Sequence, residues 1–79
     1  MYKIQSILVP KNMYTKQEAS NWVFKYFVLK KIDETEDYFR FKQIDPQYLK
    51  NKGFNKVKNK MLDNGIFLVI YYKDAFDDI

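Results

Sequence analysis

Four carboxylates fall within five residues, at Asp33, Glu34, Glu36 and Asp37. Hard cations such as Mg²⁺ and Ca²⁺ take oxygen ligands of this kind. The stretch lacks the spaced ligands and central glycine of a calcium-binding loop, so it reads as a solvated turn and no metal site is expected. The hydroxyl nucleophiles available are Ser6, Thr15, Ser20 and Thr35. There is no His to activate any of them, and no Cys. His is the side chain most often used as a base near neutral pH. Both glycines, Gly53 and Gly65, stand in turn contexts, so no glycine-rich phosphate loop exists and no cofactor is expected. A small hydrolase remains only as a remote alternative.

Binding chemistry is better represented. Tyr38, Arg40 and Lys42 alternate with Phe39 and Phe41. A basic-aromatic strand of this type can stack bases and neutralise phosphates. Residues 46–62 carry Lys50, Lys52, Lys56, Lys58 and Lys60 and no acid. On a strand, Lys56, Lys58 and Lys60 share one face and Val57 and Met61 the other. Such a ridge suits a phosphate backbone or an acidic protein, and it equally protects a sheet edge from pairing with another chain. Tyr48, Phe54 and Tyr72 add candidate aromatic anchors for a protein partner. Only one Arg is present, which weakens the nucleic-acid reading because Arg supplies most bidentate base and phosphate contacts.

These residues must be positioned by a small scaffold. Seventy-nine residues make one domain, expected over 1–73 with an acidic tail over 74–79. A chain of this size buries only about 60% of its unfolded surface, so the 7 Phe, 7 Tyr and 1 Trp carry much of the core. The net charge is +4, a modest lysine excess that by itself serves solubility. Without Cys, no disulfide holds the chain, which fits a reducing compartment. No basic start followed by a long apolar segment is seen, so no signal peptide is expected.

The one continuous apolar run is 66–72, from Ile66 to Tyr72, opened by Asp63-Asn64-Gly65. It reads as a strand inside a sheet, covered on both faces. Tyr2 to Val9 reads as the first strand, with Tyr2, Ile4 and Leu8 on one face and Ile7, Val9, Lys3 and Gln5 on the other. Thr15 and Glu18 have capping-box spacing and open a helix whose apolar stripe is Ala19, Trp22, Val23 and Tyr26. Phe24 and Phe27 fit that stripe poorly, so either a second surface is covered or the helix stops near Tyr26. Val28 to Asp33 and Tyr38 to Ile44 form a hairpin across the acidic turn. Asp45-Pro46 starts a short helical turn that Gly53 ends. Phe54 to Leu62 is the strand before the last. The expected fold is α+β: an antiparallel sheet of four or five strands with one main helix on one face, in the order β-α-β-β-(short helix)-β-β.

Several of these residues recur together elsewhere. Ile4-Gln5-Ser6-Ile7-Leu8, Thr15 with Glu18-Ala19 and Trp22, the run from Lys31 to Gln43, Pro46, Gly65-Ile66 and Leu68-Val69-Ile70 resemble a small domain encoded by tailed phages and large DNA viruses. That domain stands alone or is appended to larger virus proteins. The chain departs from it at Phe27, at Lys58-Asn59-Lys60 and at Tyr71. The resemblance implies a viral origin and carries no catalytic residue. The expected function is a non-enzymatic, virus-encoded interaction module that binds a virion or host protein, in the host cytoplasm or virion and not at a membrane. The alternative is a weak, sequence-independent nucleic-acid binder using the lysine-rich strand.

Overall fold

The computed structural model describes residues 1–73; the acidic tail expected over 74–79 lies outside the described residues. Seven elements follow in order: β1 (Tyr2–Pro10), α1 (Lys16–Tyr26), β2 (Ile32–Glu34), β3 (Tyr38–Lys42), α2 (Pro46–Asn51), β4 (Lys56–Met61) and β5 (Phe67–Tyr72). The strands form one antiparallel sheet in the order β2-β3-β1-β5-β4. The fold is α+β, and β5 is an interior strand between β1 and β4.

The capping box at the start of α1 is complete. Glu18 N donates to Thr15 Oγ1, and Thr15 N donates to the Glu18 carboxylate at 2.8 Å. The helix ends at Tyr26. Asp45 caps α2 by accepting from Gln47 N at 2.8 Å, with Pro46 in the first turn. Between β4 and β5, Gly65 takes φ 86°, a left-handed conformation that other residues resist. Tyr14 donates its hydroxyl to Asn64 O at 2.8 Å, so the connection before α1 braces this turn.

The core lies on the α1 side of the sheet. Ala19 and Val23 of the helix pack against Ile7, Val9, Phe39, Phe41, Ile66, Leu68 and Ile70. Trp22 and Phe27 stand at the margin, half-buried and in ring contact with each other at 5.7 Å. Tyr26 is 57% exposed and Phe24 73% exposed, so the buried stripe is narrower than Ala19, Trp22, Val23 and Tyr26. Tyr26 is the last residue of the helix, and its ring meets that of Trp22 at 5.0 Å.

A bulge changes the faces of β1. Its pairing with β5 shifts between Ile4 and Ser6, leaving Gln5 as the extra residue. An extra residue resets the two-residue alternation. Ile4 therefore joins Ile7 on the core face, opposite Ile70 and Leu68, while Leu8 takes the other face with Ser6. This corrects the grouping of Tyr2, Ile4 and Leu8. Gln5 itself is buried: its carbonyl accepts from Gln43 N and Ile44 N, and its side chain donates to Ile44 O at 3.0 Å.

β2 is only three residues long, not the strand expected from Val28 to Asp33. The side chain of Gln43 explains the difference. Its Oε1 accepts from Val28 N at 3.1 Å and its Nε2 donates to Val28 O at 2.7 Å. One amide side chain thus serves the backbone groups that a ladder would otherwise pair. Among the described residues no helix is long and apolar enough to cross a membrane.

Candidate interaction surfaces

The strand register divides the sequence-predicted binding residues between two faces. Lys42 stands opposite Ser6, and Ser6 opposite Val69, which faces Asn59. Arg40 stands opposite Leu8, Leu8 opposite Phe67, and Phe67 opposite Met61. Lys3 faces Tyr71, which faces Val57. Paired residues share a face, so Tyr38, Arg40 and Lys42 lie on the side away from the core. On the core side, Lys56, Lys58 and Lys60 stand opposite Tyr72, Ile70 and Leu68. The basic-aromatic strand and the lysine ridge therefore cannot act as one continuous surface.

The face away from α1 is open across its middle. Leu8, Phe67, Val69 and Tyr71 are half-buried, while Val57 is 52% exposed and Met61 64% exposed. A depression of about 240 Å³ is lined by Gln5, Ser6, Leu8, Arg40, Val69 and Tyr71, and no helix residue lines it. Tyr38 packs edge-on against Phe67 with ring centroids 6.1 Å apart. Arg40 has no hydrogen bond or ion pair from its side chain among the described residues, although Asp33 stands opposite it. The expectation that β5 is covered on both faces is corrected: Leu68 and Ile70 on the core face are buried, whereas Phe67, Val69 and Tyr71 on the other face are only half-buried.

The lysine-rich side is built differently. β4 is an edge strand, and its outer backbone groups face solvent. Lys56 and Lys58 are exposed and Lys60 is half-buried. Near the start of β4, ammonium groups stand over rings: Lys56 over Tyr72 at 6.0 Å, Lys52 over Tyr48 at 5.6 Å and Lys73 over Phe54 at 4.6 Å. Lys73 Nζ also donates to Lys52 O at 3.1 Å. Tyr48 is 56% exposed, whereas Phe54 is only 5% exposed and serves as core beneath Lys73 rather than as an exposed anchor.

The acidic stretch disperses. Asp33 and Glu34 belong to β2 and point to opposite faces, and the turn itself is held by Thr35 and Tyr38, with Thr35 N donating to Tyr38 O at 2.9 Å. Glu34, not Asp33 or Asp37, makes the ion pairs, with Lys11 at 3.3 Å and Lys16 at 3.4 Å. Those hydrogen-bonded ammonium groups, Lys11 first, hold the Glu34 carboxyl below the ordinary carboxylate range. The Thr15 backbone and hydroxyl do the same for Glu18. Among the described residues no group of three or more His, Cys, Asp or Glu converges to hold a metal ion.

The hydroxyls are committed locally. Thr15 accepts from Glu18 N, Ser20 donates to Lys16 O, and Thr35 bonds the Tyr38 backbone. Ser6 is 1% exposed.

Sequence reasoning passed over Leu8, Phe67, Val69, Tyr71, Val57 and Met61 as surface residues. A signal was present: one main helix can cover only one face of a five-stranded sheet, so half of an all-apolar strand must remain open. No protein-family model, curated protein or solved structure matches the chain.

Proposed function

We propose that the chain is a virus-encoded, non-enzymatic interaction module that binds a protein, a virion component or a host factor, through the open face of its sheet. The observation that carries this reading is the apolar surface away from α1, where Val57 and Met61 are exposed beside Leu8, Phe67, Val69 and Tyr71. Side chains of this kind gain by leaving water, at about 25 cal/mol per Å² of apolar area. Contiguous apolar patches on small soluble proteins mark interaction sites. Arg40, Lys42 and Lys3 border the patch and favour a partner with carboxylates at its rim. The hydroxyls committed to local hydrogen bonds support the non-enzymatic part. The viral part, and with it a place in the host cytoplasm or virion, rests on the resemblance of the Lys31 to Gln43 run and its companion segments.

The test is affinity capture from infected host cells, comparing the parent with Val57→Gln/Met61→Gln. Both positions are exposed, so the variant should melt at the parent's temperature. A virion or host protein retained by the parent and lost by the variant is the expected result. Capture that the variant leaves unchanged sinks the open-face reading.

A further inference from the structure

We infer that the lysine edge of β4, together with the tyrosines at the end of the sheet where β4 begins, binds single-stranded nucleic acid. This surface is separate from the open face and would act in addition to it. Lys56, Lys58 and Lys60 fall on one side of the strand, since each pairs with a core-side residue of β5. Alternate residues of a strand repeat at roughly 6.6 Å, comparable to the separation of successive phosphates along an extended single strand. β4 is the outermost strand, so a ligand running beside it meets no further sheet.

The aromatic groups make this more than a protected edge. Edge protection calls for lysines but not for rings beside them. Here Lys56 stands over Tyr72, and Tyr2 lies next in register on the same face. Lys52 stands over Tyr48, and Lys73 joins the two groups by its bond to Lys52 O. A base laid on the exposed Tyr48 keeps its phosphate within reach of the Lys52 ammonium group. Charge is also segregated here. Residues 46–62 and Lys73 carry six lysines and no acid, which exceeds the whole chain's net charge of +4, so the remainder is net acidic.

The chemistry selects a single strand over a duplex. The lysines are point charges that suit phosphates without reading base edges, and none of the cations here is Arg. In a duplex the faces of the bases are stacked away, whereas a single strand offers them to aromatic side chains.

The test is fluorescence anisotropy with a labelled oligo(dT) of about twelve nucleotides, beside a duplex of the same length. For three phosphates neutralised on a single strand, affinity should fall about 20-fold between 50 and 200 mM salt. The duplex should bind several-fold more weakly than the single strand. Lys56→Gln/Lys58→Gln/Lys60→Gln should remove most of the binding and flatten the salt dependence. Tyr48→Ala, at an exposed helix position, should weaken binding about fivefold or more without changing the melting temperature. Val57→Gln/Met61→Gln should bind as the parent does. No binding to oligo(dT) at 50 mM salt overturns the inference, as does triple-variant binding equal to the parent's. Duplex binding as tight as single-strand binding, unaffected by Tyr48→Ala, also overturns it by reducing the surface to plain electrostatics.

Discussion

Glu34 shows how a single side chain ties the helix to the sheet edge. It sits on a short edge strand, yet it receives ammonium groups from Lys11 before the helix and Lys16 within its first turn. The pairing lowers its proton affinity in the folded chain. A carboxyl whose folded pKa is depressed contributes stability above its unfolded pKa and loses it as pH falls through the folded value. Glu34→Gln should therefore melt below the parent at neutral pH, and the two should converge in acid, below the ordinary Glu range of about 4.3. Thermal melts from about pH 2 to about pH 7 check this. A gap that persists undiminished in acid would show that the carboxylate charge is not the cause.

Among the elements, β1, β3 and β5 supply the sheet side of the core and α1 packs on it. Phe41 is fully buried between β1 and β2, in register with Ile7 and Ile32. Trp22 is half-buried at the helix margin against Tyr26 and Phe27. Phe41→Ala should cost about 3–5 kcal/mol, the range for a large aromatic lost from a core. Trp22→Ala should cost less, because its ring is only partly buried at the core margin. Urea melts of both variants test the order. If Trp22→Ala proves the more damaging, the helix packs through Trp22 and not through Ala19 and Val23.

At the scale of the whole molecule, the strand order sets where the chain opens. β1 is central and hydrogen-bonded on both sides, while β2 and β4 are edges. Local opening follows the number of bonds and buried contacts that must be released. Native-state hydrogen exchange should find the amides of Ile7 and Val9 slowest and those of β4 much faster. Equal protection in β4 and β1 would mean that β4 is covered in solution by another chain. The same order puts the two proposed surfaces on different sides, so a protein on the open face and a single strand along the β4 edge need not compete.

The sequence by itself determined the element order, both helix caps, the turn at Gly65 and the shared face of Lys56, Lys58 and Lys60. These depend on neighbours within a few residues: a hydroxyl three positions before a carboxylate, a residue free to adopt positive φ, a two-residue alternation. It also carried the interior place of β5, through an apolar run too long for an exposed edge. Tertiary structure alone decided the rest. The bulge at Gln5 arises where β1 must pair with β5 on one side and with the Gln43 backbone on the other, and no local pattern announces it. Val28 left the ladder because a side chain fifteen residues away satisfied its backbone. The division of Tyr38, Arg40 and Lys42 from Lys56, Lys58 and Lys60 followed from register across four strands, since which face a residue occupies is fixed only when every strand between is aligned.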